Sequence, residues 1–196
     1  MPAAHPVHVE EAVHPSHHEP IDVLGRRALL TAGVMAALCA AALAAGIAGF
    51  DPWAVVLGAL FLCSAIAELI DSAYARETPR ARRIGAIGAL PALLGLFFIF
   101  SIGLSPAAIA TAVGVYFVAD AVSRAAVAFA DRYWAWGWDE IYAVIALAMG
   151  VIVLAMGGEV SGSVLWYLVA AELFFRGVTI AERDLGIRRE LARHRA

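Results

Sequence analysis

Residues 84–119, IGAIGALPALLGLFFIFSIGLSPAAIATAVGVYFVA, run for 36 positions without a charged side chain. A helix of about 20 apolar residues crosses the roughly 30 Å hydrocarbon layer of a bilayer. This run is therefore long enough for two membrane spans, and GLSP at residues 103–106 supplies a turn between them. Residues 28–50 and 141–158 are also free of charge. The sequence thus predicts several membrane-spanning helices.

The composition agrees with a chain whose main solvent is lipid. Hydrophobic residues make up 62% of the 196 positions and charged residues only 16%, and the mean hydropathy is +0.80. Soluble domains are usually closer to half apolar. We predict an all-α membrane protein with six transmembrane helices near residues 28–49, 53–75, 84–103, 106–128, 137–156 and 161–181.

The arginines predict how these spans are oriented. The chain has no lysine, and twelve of its fourteen arginines lie outside the predicted spans, near the termini or in the loops that follow spans two and four. Those that precede span one, separate spans two and three, follow span four or follow span six are Arg26, Arg27, Arg76, Arg80, Arg82, Arg83, Arg132, Arg183, Arg188, Arg189, Arg193 and Arg195. The three intervening turns carry only Asp51 and Glu159. Because positive charge is retained on the cytoplasmic side, both termini are predicted to be cytoplasmic.

The sequence repeats with a period of 52 residues. A shift of 52 aligns Gly33 with Gly85 and Gly137, and Glu68 with Asp120 and Glu172. Internal repetition at a fixed period indicates a repeated structural unit. The unit here is one helical hairpin, so residues 26–77, 78–129 and 130–181 are three hairpins in a pseudo-threefold arrangement. We expect a disordered segment at residues 1–25 and a basic cytoplasmic segment at residues 182–196.

Within each hairpin, glycine and acid are equidistant from the turn. We therefore expect each acid to face a glycine of its own hairpin, Gly33 opposite Glu68 being the first pair, since small residues let membrane helices approach closely. Seventeen residues of helix correspond to roughly 26 Å. The acids are thus predicted to lie near the cytoplasmic boundary.

The three acids have two interpretations. Ionisable residues inside spans are often functional, so Glu68, Asp120 and Glu172 are candidates for proton relay or cation binding. Alternatively they are structural, because Asp120 with Arg124 and Glu172 with Arg176 form i, i+4 pairs in the favourable order, with heads able to reach interfacial water. No continuous polar track leads outward from them along their helices. We favour the structural interpretation.

The N-terminal segment holds most of the chain's histidines. They are His5, His8, His14, His17 and His18. Their spacing does not match a zinc site, but imidazoles titrate near neutrality. We therefore consider a tail that moves towards the anionic inner leaflet on acidification. The sequence contains no phosphate loop, catalytic triad or metal motif, so we predict no enzyme activity, no metal or cofactor, and no nucleic-acid partner.

GVYFVADAVSRA at residues 114–125, YLVAAELFFRGV at 167–178 and FDPWAVVLGALFLCSAIAEL at 50–69 resemble the membrane repeat of the HdeD-like acid-resistance proteins. Ala121 stands where that family usually has glycine, and the histidine-rich tail is not part of its pattern. The resemblance implies a multi-pass protein of the bacterial inner membrane, linked to acid or general stress tolerance and without catalytic residues. The alternatives are a small proton or solute channel or transporter, and an accessory scaffold of a larger membrane complex or homo-oligomer.

Overall fold

The computed structural model describes residues 21–193 except 51–52, 75–78, 102, 132–135 and 158. Side chains are described within residues 29–181, apart from those gaps and residues 71, 73–84, 86 and 130–139. Throughout the described ranges the only regular structure is helical. The six helices are α1 (Ile21–Ile47), α2 (Ala54–Tyr74), α3 (Pro79–Phe100), α4 (Pro106–Asp131), α5 (Trp136–Ala155) and α6 (Gly162–Arg193).

Three of these helices are long and apolar enough to cross a membrane. They contain the segments Leu29–Ile47, Pro106–Phe129 and Gly162–Ala181, and shorter apolar segments lie in α2, α3 and α5. The outer surface of the bundle is rich in exposed large apolar side chains, with Ile47 and Phe100 each 77% exposed. Large contiguous apolar surfaces are rare on soluble monomers. The chain is therefore a helical membrane protein.

The three turns that follow α1, α3 and α5 resemble one another. Gly49, Gly103 and Gly157 all have positive φ. At the first turn, Gly49 N donates to Gly46 O at 3.2 Å and Phe50 N donates to Ala45 O at 3.1 Å, which is the hydrogen-bond pattern of a Schellman cap. Residues from all three turns line one cavity of about 500 Å³. The turns therefore meet at one end of the bundle, here called the turn end.

Serine residues begin two of the helices that leave this end. Ser105 Oγ accepts from Ala108 N at 3.2 Å, and Ser161 Oγ accepts from Val164 N at 3.4 Å. Both serines occupy the N-cap position, where a side-chain oxygen satisfies a free backbone N–H. Trp166 Nε1, in the first turns of α6, donates to Phe50 O at 2.9 Å and ties α6 to the first turn. The starts of α4 and α6 are thus fixed by local caps, and the first turn is held by a hydrogen bond from α6.

The closest helix pairs are not the predicted hairpins. In the described part of the chain α2 packs most extensively on α3, α4 on α5, and α6 on α1, whereas α1 with α2, α3 with α4 and α5 with α6 touch much less. The acids recur every 52 residues, whereas the turn glycines Gly49, Gly103 and Gly157 recur every 54. Tight packing joins the second helix of each repeat to the first helix of the next. The contact between α6 and α1 closes the ring.

Glycines explain this pairing. An added Cβ at Gly95 would lie 2.8 Å from Gly58 O, and one at Gly150 would lie 2.9 Å from Gly114 O. The backbone of α2 therefore approaches that of α3, and the backbone of α4 approaches that of α5, to distances that only small residues permit. In the third pair, α6 with α1, a Cβ at Gly177 would lie 3.0 Å from Met35 Cβ.

The predicted contact between Gly33 and Glu68 is wrong. Gly33 is exposed, and a Cβ there would meet no described atom within 4 Å, because α1 turns its buried face towards α6. Gly85 lies against Ser72 of α2, and Glu68 packs on Gly88 instead. The pairing of Gly85 with Asp120 is therefore wrong as well. The surroundings of Gly137 lie outside the described residues.

The predicted spans match the observed helices to within a few residues at most ends. The main differences are that α1 starts at Ile21, within the segment predicted to be disordered, that α3 starts at Pro79, and that α6 continues unbroken to Arg193. The basic segment predicted at residues 182–196 is therefore, as far as Arg193, a continuation of the last helix. The five histidines of the N-terminal segment lie outside the described residues.

Candidate functional site: a buried ion cluster

The second helix of each repeat carries a charged residue into the centre of the bundle. Together with two arginines, the acids form the group here called the ion cluster. Its members and their exposures are Glu68 at 4%, Asp120 at 0%, Arg124 at 2%, Glu172 at 0% and Arg176 at 0%. Charged side chains this buried require partners, because desolvating an isolated ion costs far more than one hydrogen bond returns.

Arg124 joins α4 to α2. Its Nε lies 2.8 Å from Asp120 Oδ2, one turn back on the same helix, and its Nη2 lies 3.1 Å from Glu68 Oε1. The guanidinium also sits over the ring of Tyr142, with Cζ 4.4 Å from the ring centroid, a cation–π geometry. One side chain therefore contacts residues on three helices.

Arg176 makes the larger set of contacts. Its Nη2 lies 2.7 Å from Glu172 Oε1 on its own helix and 3.3 Å from Asp120 Oδ1 on α4. Its Nη1 lies 2.7 Å from Glu68 Oε2 on α2. A planar guanidinium with five N–H groups suits this arrangement, since it donates in several directions from one plane. Arg176 thus contacts all three carboxylates.

Two tyrosines complete the cluster. The Tyr116 hydroxyl donates to Glu172 Oε1 at 2.6 Å and accepts from Arg176 Nη2 at 2.6 Å. The Tyr142 hydroxyl of α5 donates to the same Oε1 atom at 3.1 Å. Each of the two buried tyrosine hydroxyls therefore has a hydrogen-bond partner, as buried tyrosines usually do.

The predicted i, i+4 pairs, Asp120 with Arg124 and Glu172 with Arg176, are both confirmed. The expectation that their heads reach interfacial water is wrong, because all of them point inwards and are buried. From the N-cap at Ser105 to Asp120 is about 22 Å of helix, close to the distance between turn and acid that the sequence predicts. α4 continues beyond it to Asp131.

The contacts between helices were missed from the sequence. Arg124 reaches Glu68, and Arg176 reaches Asp120, at a common separation of 56 residues. This equals the repeat of 52 plus the four residues between acid and arginine. The signal was therefore present as an arginine at the same position in two successive repeats.

The region between the ion cluster and the turn end is filled with apolar side chains. Ile109, Val113, Phe117, Leu165 and Val169 are all buried in one hydrophobic core, and Phe61 packs edge-on against Tyr116 with centroids 5.0 Å apart. Ile109 and Leu165 also line the cavity at the turn end. Ser64 Oγ is a buried polar atom in this region without a hydrogen-bond partner among the described residues.

The fold and this site define a helical membrane protein with an apolar exterior and a hydrophobic core that contains one cluster of ion-paired side chains. Comparisons of the chain with protein-family models, with curated protein sequences and with solved structures found no match.

Proposed function

We propose that the chain is a six-span protein of a bacterial inner membrane, built from three hairpin repeats, with both termini in the cytoplasm. The one-sided distribution of arginines and the convergence of three similar turns at one end support this topology. In a bilayer the exposed apolar side chains face lipid, and the helices satisfy their backbone polar groups internally. Lipid is therefore the first partner of the protein.

We further propose a structural, non-enzymatic role linked to acid or general stress tolerance. The observation that carries the structural part is the ion cluster itself. In the described part of the chain none of the extensively packed helix pairs joins α2, α4 and α6 to one another, so the long side chains of the cluster supply a polar link between these three helices. The stress role depends on the resemblance to the HdeD-like family.

Survival of a strain lacking the gene tests the stress role. We expect fewer survivors than the parent after acid challenge, and restoration by the wild-type gene. A Glu172→Gln variant removes one partner of the buried Arg176, so if the role is structural it should restore less survival, in proportion to a lower amount of protein in the membrane fraction. The matched control is Glu159→Gln at an exposed position. Equal survival of parent and deletion strains under acid and other envelope stresses would refute the stress role.

A small proton or solute channel is the second candidate, and the turn-end cavity favours it. A solute entering there would reach the ion cluster only after displacing the apolar side chains around Ile109, Phe117 and Leu165. Opening such a path requires the closely packed helices to separate. The closed arrangement of the bundle therefore supports the structural role above transport.

A further inference from the structure

Ser64 is a buried polar residue that lies outside the ion cluster. It is on α2, one helical turn from Glu68 towards the turn end, and its exposed fraction is 0%. Its Oγ has no hydrogen-bond partner among the described residues. A buried hydroxyl without a partner is costly, because it has given up its hydrogen bonds to water and gained none in return. In folded proteins such atoms are commonly satisfied by an ordered water molecule.

Two other buried hydroxyls in these helices are satisfied in a different way. Ser72 Oγ donates to Leu69 O at 2.9 Å, and Thr179 Oγ1 donates to Phe175 O at 2.8 Å. A hydroxyl that turns back onto its own helix needs no partner from another element. Ser64 does not make this bond, so its hydroxyl requires a partner from outside α2.

The repeat indicates what that partner is. A shift of 52 residues aligns Ser64 with Tyr116. The Tyr116 hydroxyl donates to Glu172, which lies 56 residues further along the chain, and the ion pairs between repeats keep the same separation. From Ser64 this separation leads to Asp120. Ser64 is therefore positioned towards Asp120 as Tyr116 is positioned towards Glu172.

A serine is too short to repeat the tyrosine contact directly. Its hydroxyl is attached to Cβ, whereas the tyrosine hydroxyl lies at the far end of an aromatic ring. Asp120 can still accept a hydrogen bond, because a carboxylate offers about four lone-pair sites. Its ion pairs are with Arg124 Nε at 2.8 Å and Arg176 Nη2 at 3.3 Å, and these two contacts leave lone pairs free.

We propose that a buried water molecule bridges the Ser64 hydroxyl and the carboxylate of Asp120. The water accepts from Ser64 Oγ and donates to an Asp120 oxygen, which is the direction that an acceptor-only carboxylate requires. Two hydrogen bonds of about 2.8 Å each supply the reach that the serine lacks. The next buried large side chain of α2 towards the turn end is the apolar Phe61, so the site is closed on that side.

A crystal structure of the full-length protein, at a resolution that shows ordered water, tests the proposal. We expect a density peak within about 2.6–3.2 Å of both Ser64 Oγ and an Asp120 oxygen. The peak should be lost in Ser64→Ala and kept in the matched control Ser72→Ala, whose hydroxyl bonds to its own helix.

Thermal unfolding of the same variants in detergent gives a second readout. If the water bridge exists, Ser64→Ala removes a bonded group and should lower the thermal midpoint by about 2–4 °C. If the hydroxyl has no partner, its removal relieves a buried unsatisfied group, and the midpoint should rise.

A map with ordered water elsewhere but no peak at Ser64 would overturn the proposal, as would an unchanged or raised midpoint in Ser64→Ala. A peak that joins Ser64 to Glu172 Oε2, which also lacks a hydrogen-bond partner among the described residues, would overturn the assignment to Asp120. The wild-type map decides even if a variant fails to fold. The water site does not depend on the stress role, so either can fail without the other.

Discussion

Replacing Arg176 with methionine is expected to lower the free energy of unfolding by about 3–5 kcal/mol, the usual cost of removing one partner from a buried ion pair. Its guanidinium contacts Glu68, Asp120 and Glu172, and Arg124 alone cannot pair with all three carboxylates. Most domains have only 5–15 kcal/mol of stability. Thermal unfolding in detergent, with the amount of protein in the membrane fraction, measures the effect.

Two companion variants show whether charge or volume is responsible. Arg176→Lys keeps the charge but lacks the planar fork, so its loss should be intermediate. Combining Arg176→Met with Glu68→Gln leaves Asp120 paired with Arg124 and should recover part of the lost stability. An Arg176→Met variant as stable as the wild type would show that the ion cluster does not hold the bundle together.

Adding a methyl group at Gly95 is expected to destabilise the protein by about 1–3 kcal/mol, the range for overpacking a tight interface. The new Cβ would lie 2.8 Å from Gly58 O and 3.0 Å from Leu62 N. Both are backbone atoms, so only separation of α2 from α3 relieves the overlap. Gly150→Ala should act in the same way between α4 and α5, where Gly114 O would lie 2.9 Å away.

Gly33→Ala is the matched control. It makes the same chemical change in a helix, but no described atom lies within 4 Å of the added methyl group. Alanine is favoured over glycine in a helix interior by roughly 0.5–1 kcal/mol, so this variant should be neutral or slightly stabilised. If Gly33→Ala were more damaging than Gly95→Ala, the observed helix pairing would be wrong.

The sequence contained enough to predict the number, type and approximate limits of the helices. Spans follow from uninterrupted apolar runs, and the turns from the glycines near residues 49, 103 and 157. It did not reveal which helices pack closely, because each hairpin has two neighbours and apolar faces are present towards both. The deciding residues, Gly58 with Gly95 and Gly114 with Gly150, do not align under the 52-residue shift.

The ion cluster was predictable only within each helix. Pairs such as Asp120 with Arg124 follow from helical spacing alone. The contacts of Arg176 with Glu68 and Asp120 depend on the distance between α6, α2 and α4, which a single sequence does not give. Tyr142 reaches the cluster from a helix that carries no acid of the repeat, so no periodicity pointed to it.

Proton flux into liposomes containing the purified protein tests the central claim, that the ion cluster links helices and does not conduct. Under an imposed pH gradient we predict the flux of protein-free liposomes for the wild type and for Glu172→Gln. Flux clearly above that background, abolished in a Glu172→Gln variant that retains wild-type thermal stability, would contradict the account and assign the carboxyl groups to transport.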